Sequence, residues 1–171
     1  IAKLDSQQTI LFKYTEKLEN SDYTHIIDSV ENENKFYLSN PKNPSYIGIG
    51  ECIKINPKNK DDLLKAQKEI TQKYNILSNT DNNIKFFGGL SFNYKTKRKY
   101  PWNKVPKNYF TIPKFLISFN TKKTTLTSFV VINSNISISE INNEYQIFKE
   151  MLNQPKMTKL INLKMDEIKN T

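Results

Sequence analysis

Glycine placement is the feature of this sequence that most restricts its fold. Only four glycines occur in 171 residues, and all of them lie in two stretches rich in Ile, Tyr and Phe, "SYIGIGECIKI" and "KFFGGLSFN". They are Gly48, Gly50, Gly88 and Gly89. Glycine weakens a strand because it adds backbone entropy to the unfolded chain and has no side chain to pack. Its use inside strand-like stretches predicts that something bulky lies close against them.

The first of these stretches alternates in a way that defines two faces. In "SYIGIGECIKI" an isoleucine face opposes a glycine face if the stretch is one continuous strand, which is the structure we predict. The isoleucines are Ile47, Ile49, Ile53 and Ile55. The nearly bare glycine face predicts contact with an aromatic side chain from a neighbouring strand or with a second backbone.

Other stretches also have strand patterns. In "TILFKYTEKL", Ile10, Phe12 and Tyr14 alternate on one side, which is typical of a half-buried strand. Further strands are predicted in "KFYLSNP", "IKFFGGLSFNY", "YFTIPKFLISFN" and "TTLTSFVVIN". The last two are joined by the short polar "TKK", which predicts a hairpin. Pro113 lacks an amide hydrogen and predicts a sheet edge or a bulge at its position.

Two stretches have the spacing of amphipathic helices. "NPKNKDDLLKAQKEITQKYNIL" has Asp61 and Asp62 in the first turn of the predicted helix, where the helix dipole favours anions, and carries an apolar stripe of Leu63, Ala66, Ile70, Tyr74 and Leu77. "SEINNEYQIFKEMLNQP" follows Ser137, which forms a capping box with Glu140, and carries a stripe of Ile141, Tyr145, Phe148 and Leu152. The order of strands and helices predicts an α/β (α+β) fold with a mixed, mainly antiparallel β-sheet covered by helices.

Length and charge limit the class of protein. A chain of 171 residues suits one domain, residues 1–171. The net charge of +9 raises nucleic acid as a partner, but only Arg98 among the 26 basic residues is an arginine. Arginine is the side chain that reads bases and clamps phosphates through two hydrogen bonds. We therefore interpret the charge as a solvated lysine surface and expect no nucleic-acid partner.

One basic loop has a composition that is compatible with nucleic-acid binding. "KTKRKYPWNKVPKN" interleaves aromatic residues with Lys95, Lys97, Arg98 and Lys99, and Trp102 would anchor it. Such interleaving is typical of surfaces that bind single-stranded nucleic acid. A stand-alone basic RNA-binding module is therefore the alternative from a different functional class.

The sequence also predicts the compartment. No apolar run approaches the roughly 20 residues of a membrane span. The single cysteine, Cys52, excludes an internal disulfide framework and suits a reducing cytosol. Because the sequence begins "IAKLDS", with neither methionine nor a signal-peptide pattern, we expect a segment of a longer protein. We expect that protein to be cytoplasmic and to have no membrane partner.

The residues themselves predict no catalytic site. His25 is the only histidine, and a Cys–His nucleophile would require it to meet Cys52. Cys52 falls on the glycine face of its strand, where a small buried hydrophobic residue is the usual explanation. "GIGEC" lacks the third glycine of a dinucleotide-binding loop, and no Gly-Lys-Ser/Thr sequence occurs. We predict no catalytic, cofactor-binding or metal-ligating residue in this sequence.

The order of the glycine and aromatic strands resembles the N-terminal half of isochorismate synthases, members of the chorismate-using enzymes with the anthranilate synthase component I-like fold. The resemblance spans Phe36 to Phe119 and combines an aromatic strand, a Gly-x-Gly strand, a Phe-Gly-Gly strand, a Trp and an Ile-Pro strand. The matching positions are Phe36, Tyr37, Gly48, Gly50, Phe87, Gly88, Gly89, Phe92, Trp102, Phe110, Ile112 and Pro113. The resemblance implies that the four glycines, Trp102 and Pro113 are a structural motif of a sheet scaffold. Gly88 and Gly89 would permit a bulge or a close strand crossing.

The resemblance also implies an activity. Isochorismate synthases convert chorismate to isochorismate with Mg²⁺, a lysine base that activates water, and a glutamic acid that protonates the departing hydroxyl. No part of this sequence matches the "Lys-Val-Val-Leu-Ala-Arg"-like strand that carries such motifs, so no catalytic or metal residue is carried over. We expect chorismate and Mg²⁺ to bind the full-length parent through its other part, and this segment to bind no cofactor and to be inactive alone. The oligomeric state is left open.

One element separates the chorismate users. "FYLSNP" stands where anthranilate synthases have a Leu-Leu-Glu-Ser-type tryptophan-binding element. This difference favours isochorismate synthase, in menaquinone or siderophore biosynthesis. Salicylate, aminodeoxychorismate and anthranilate synthases stay open as alternatives.

Overall fold

A computed structural model describes residues 9–19, 21–31, 33–42, 44–81, 83–91, 99–100, 103, 108–133 and 136–154. The strands in these ranges are β1 (Ile10–Leu18), β2 (Lys35–Leu38), β3 (Ser45–Ile49), β4 (Ile53–Ile55), β5 (Asn75–Ser78), β6 (Phe87–Leu90), β7 (Asn108–Ile112), β8 (Phe115–Phe119) and β9 (Thr124–Ile132). The helices are α1 (Ile26–Ser29), α2 (Lys60–Lys73) and α3 (Ile138–Asn153). No helix among the described residues is long and apolar enough to cross a membrane.

The strands form two sheets. A six-stranded sheet has the order β2-β3-β8-β9-β1-β5, and a three-stranded sheet has the order β4-β7-β6. β1 and β5 are parallel, whereas the other described strand pairs are antiparallel. The predicted mixed, mainly antiparallel α/β architecture is confirmed, with the strands divided between two sheets.

The six-stranded sheet is the central layer, because it is covered on both faces. On one face α1 and α3 pack over a core cluster that includes Ile26, Ile47, Ile117, Leu126 and Phe148. On the other face the three-stranded sheet and α2 pack over a second cluster that includes Leu11, Ile70, Ile112, Leu116 and Phe129. Burying an aliphatic or aromatic side chain of this size contributes about 1.5–3 kcal/mol. Because β8 and β9 contribute side chains to both clusters, the central sheet is the layer that the two clusters share.

β1 departs from the half-buried strand that its alternation predicts. Leu11 is fully buried and Lys13 is 6% exposed, so the face opposite Ile10, Phe12 and Tyr14 is also covered. The Lys13 ammonium donates to the carboxylate and carbonyl of Asp81 and to the carbonyl of Asn83. A lysine satisfied in this way can be buried, although its type indicates exposure.

The stretches predicted as two strands form one ribbon that bends between the sheets. Ile49 pairs with Phe115 in the central sheet, and Ile53 pairs with Ile112 in the smaller one. Residues 50–52 therefore lie opposite residues 113–114, three against two, which defines a β-bulge. Gly50 has a φ of +69°, a conformation that glycine adopts without steric strain.

The prediction of one continuous strand over "SYIGIGECIKI" is thus wrong at this bulge. The cause is a local backbone conformation that leaves the alternation of side chains intact on either side. Pro113 lies at the bulge, one of the two environments that its missing amide hydrogen predicts.

Two of the other glycines also lie under close neighbours. A Cβ on Gly48 would overlap the ring of Phe36, the residue opposite it on β2, so the predicted aromatic neighbour is present. A Cβ on Gly88, whose φ is +158°, would overlap the carbonyl of Tyr109 on the paired strand β7. A Cβ on Gly89 would meet nothing within 4 Å, so close approach does not account for this glycine.

The helices largely follow their predicted patterns. α3 has the predicted capping box of Ser137 and Glu140. α2 ends at Lys73, and the prediction that Leu77 extends its stripe is wrong because Leu77 lies in β5. There Leu77 pairs with Phe12, and hydrogen bonding to the edge of β1 replaces another helical turn. This tertiary pairing overrides the helical spacing.

Gly88 and Gly89 offer a matched test of the close strand crossing. Gly88→Ala should lower the free energy of unfolding by about 2–3 kcal/mol, because the new methyl group meets rigid backbone. Gly89→Ala, its control on the same strand, should change it by less than about 0.5 kcal/mol. Urea denaturation of both variants measures the difference, and equal effects would contradict the close crossing.

Candidate functional site

Polar and ionisable side chains gather on both sides of the bulge. Glu51 accepts hydrogen bonds from the Tyr109 hydroxyl and, at 2.6 Å, from the Asn34 amide. The Lys114 ammonium lies 2.7 Å from a Glu144 carboxylate oxygen on α3. The bulge therefore connects the smaller sheet to one side and α3 to the other.

An inter-sheet cleft opens between β2 and the three-stranded sheet. Its volume is about 340 Å³, and its lining includes Phe36, Phe87, Tyr109 and Thr111. Phe36 stacks on Phe87 with ring centroids 4.6 Å apart. Small-molecule sites commonly enclose about 300–1,000 Å³ of mostly apolar surface with a few polar groups. The inter-sheet cleft has this size, and its aromatic rings and the Tyr109 and Thr111 hydroxyls are groups that commonly bind small molecules.

A polar hollow lies on the same face of the central sheet, around the Lys13 side chain. It encloses about 360 Å³ and is rich in hydroxyl groups, including those of Thr15, Ser118 and Thr127. The Lys13 ammonium donates to Asp81 Oδ1 at 2.7 Å, to the Asp81 carbonyl at 2.8 Å and to the Asn83 carbonyl at 3.1 Å. These three bonds engage its three donors, so Lys13 anchors this segment to the sheet.

The contact between Lys13 and Asp81 also lowers the pKa of the Asp81 carboxyl. The hydrogen bond from Lys13 holds the pKa of the Asp81 carboxyl below its usual value. A depressed pKa means that the folded protein favours the ionised carboxylate, so this contribution is present above the unfolded pKa of about 4. It is lost as the pH falls through the folded value.

Asp81→Asn should therefore remove part of the pH dependence of stability below about pH 4. The stability gap between the wild type and this variant should shrink as the pH falls, because the wild-type carboxylate becomes protonated. Thermal unfolding between neutral and acidic pH measures the gap. Asp28→Asn, which changes an exposed aspartate on α1, is the control, and a gap that stays constant for Asp81→Asn would refute the coupling.

Cys52 and His25 occupy different faces of the central sheet. Cys52 packs against the cluster that contains Leu11, and its amide donates to the Ile112 carbonyl at 2.8 Å. His25 precedes α1 and lies beside Tyr23, which belongs to the cluster beneath α3. The structure therefore does not bring the two side chains together as a nucleophilic pair. Burial raises the pKa of the Cys52 thiol to about 12.

Native Cys52 should consequently react slowly with iodoacetamide. At about pH 8 an ordinary thiol is partly ionised, whereas a thiol of this pKa is almost entirely protonated, and the thiolate is the nucleophile. Mass spectrometry should show at least tenfold slower alkylation in the native protein than in the same protein unfolded in urea. Equal rates would show that the thiol is accessible and ionised in the fold.

The described residues do not fit a metal site. Within those ranges no three His, Cys, Asp or Glu side chains gather closely enough to hold a metal ion. Mg²⁺ prefers carboxylate and other oxygen ligands together with water. No chemical step through Mg²⁺ can therefore be assigned to residues in the described part of the chain.

The structural motif predicted from the sequence, the four glycines with Trp102 and Pro113, does not form a single cluster among the described residues. Gly50 and Pro113 lie at the bulge, and Gly88 lines the inter-sheet cleft. Trp102 and the basic residues Lys95, Lys97 and Arg98, on which the RNA-binding alternative rests, lie outside the described residues. Sequence reasoning missed Lys114 and Glu144, because no pattern places these two side chains against each other.

Comparison with known proteins bears on the whole chain. The family model described as chorismate binding enzyme matches residues 1–171. A comparison with curated proteins gave no match.

Proposed function

Because this chain belongs to the chorismate-binding enzyme family, we propose that it is the N-terminal scaffold portion of an isochorismate synthase. Membership of this family supports the assignment of the chain to an enzyme that acts on chorismate. The finer assignment rests on the order of the glycine and aromatic strands. We also propose a cytoplasmic enzyme that serves menaquinone or siderophore synthesis.

The segment at β2 is the observation that favours isochorismate synthase among the chorismate users. β2 spans Lys35–Leu38 at one edge of the central sheet and leads into Ser39 and Asn40. The Leu-Leu-Glu-Ser-type element that anthranilate synthases carry at this point is absent from "FYLSNP". An enzyme without that element does not match the anthranilate synthase pattern.

The proposed reaction moves a hydroxyl group between two ring carbons of chorismate. Water adds at one carbon, a base takes its proton, and an acid protonates the hydroxyl that departs from the other carbon, so atoms and charge balance. A desolvated lysine suits the first role and a buried glutamic acid suits the second. We assign neither role to a residue of this chain. We propose that its sheets support the part of the enzyme that supplies the base, the acid and the Mg²⁺ ligands.

The full coding sequence that contains this segment provides the test. Its purified product, incubated with chorismate, Mg²⁺ and an ammonium salt as nitrogen source, should form isochorismate, and EDTA should abolish the reaction. Residues 1–171 alone should form none. Chromatography of the products separates isochorismate from salicylate, aminodeoxychorismate and anthranilate. Any of these three as the main product would establish the corresponding alternative, and unchanged chorismate would refute the proposal.

A further inference from the structure

A second cavity lies between α3 and the bulge, on the face of the central sheet opposite the inter-sheet cleft. It encloses about 260 Å³, and we call it the helix cavity. Its apolar floor consists of Ile49, Phe115 and Phe148, which are 3%, 7% and 2% exposed. Ile147 and Met151, one turn apart on α3, extend this apolar surface towards solvent. The helix cavity therefore has a wall suited to hydrocarbon.

The rim of the helix cavity is acidic although the chain as a whole is basic. Three carboxylates, Glu33, Glu140 and Glu144, and one ammonium, Lys114, line it, which leaves an excess of two negative charges. The chain carries a net charge of +9. This local reversal sets the helix cavity apart from the surface as a whole and favours a cation within it.

Lys114 neutralises one carboxylate much more than the others. Its ammonium lies 2.7 Å from Glu144 but 4.0 Å from Glu33. Glu140 accepts one hydrogen bond from the Ser137 amide at 3.2 Å through one of its two oxygens. A carboxylate offers about four lone-pair positions, so Glu33 and Glu140 both keep acceptor capacity towards a ligand. The hydrogen bond to Glu144 raises the pKa of Lys114, as expected in a negative field.

We propose that the helix cavity binds a small primary amine with an apolar body. The ammonium of the ligand lies between the Glu33 and Glu140 carboxylates, and its hydrocarbon part contacts Phe148, Ile147 and Met151. A neutral molecule of the same shape gains the apolar contacts but not the charge-assisted hydrogen bonds. A carboxylate ligand would add a negative charge to a rim that already has two in excess.

Three probes that share a phenylalkyl body and differ in charge test this specificity. The probes are 2-phenylethylamine, 2-phenylethanol and 3-phenylpropanoate, and calorimetry with NMR titration measures their dissociation constants. We expect the amine to bind at least tenfold more tightly than the alcohol and the carboxylate to bind most weakly. Because part of the interaction is between partly exposed charges, added salt should weaken binding of the amine.

Two substitutions should change amine binding in opposite directions. Glu33→Gln removes one carboxylate charge and should weaken binding about tenfold. Lys114→Met keeps an aliphatic chain beside Gly50 but removes an ammonium that lies 4.0 Å from Glu33 and repels the ammonium of the ligand, so it should strengthen binding several-fold. Glu69→Gln, on exposed α2, is the matched control and should change nothing.

The exposed Ile147 provides a variant that does not depend on the ion pair. Ile147→Ser should weaken the amine and the alcohol equally, because it removes hydrocarbon contact alone. Equal affinity for amine and alcohol, no saturable binding of the amine, or weaker amine binding by Lys114→Met would each overturn the proposal. None of these measurements requires turnover of chorismate, so they are independent of the proposed function.

Discussion

The bulge is the constraint on which the rest of this structure depends, because it turns one two-stranded ribbon into a shared part of two sheets. Gly50 at φ +69° lets the chain leave the central sheet, and Pro113 and Lys114 accompany it on the partner strand. Without this turn, the smaller sheet could not fold back over Leu11 and Phe129. The core cluster around Leu11 and Phe129 therefore relies on a conformation that is easiest for glycine.

Local patterns predicted the strands, the hairpin and the capping box of α3, because each depends on residues that are close in sequence. The same patterns failed at Leu77, where pairing with β1 replaced another helical turn. They also failed at Lys13, whose burial depends on Asp81, 68 residues away. The stretch "SYIGIGECIKI" was predicted as one continuous strand because a bulge changes only a few dihedral angles, whereas Pro113 predicted an edge or a bulge on its partner. Nothing in the sequence predicted that Lys114 meets Glu144, since the two residues are 30 positions apart and belong to different elements.

Charge is distributed differently at the scales of the chain and of its cavities. The net charge of +9 describes the lysine-rich chain, whereas the helix cavity is acidic and Lys13 is enclosed. Electrostatic arguments from composition concern solubility and non-specific association, and they do not describe individual sites. The two faces of the central sheet therefore present distinct environments, an aromatic cleft on one and a carboxylate-rimmed cavity on the other.

The position of β1 in the central sheet also determines when this protein can fold during synthesis. β1 begins at Ile10, and its antiparallel partner β9 ends at Ile132, with which Ile10 pairs. Because synthesis proceeds from the N-terminus, the ribosome makes β1 long before either neighbour, β5 or β9, is complete. Its apolar face therefore emerges with both hydrogen-bonding edges open, and closing so long a loop makes pairing with β9 a late step. In the cell, β1, an interior strand of the finished sheet, is thus a segment that needs protection from other chains until β9 has been made.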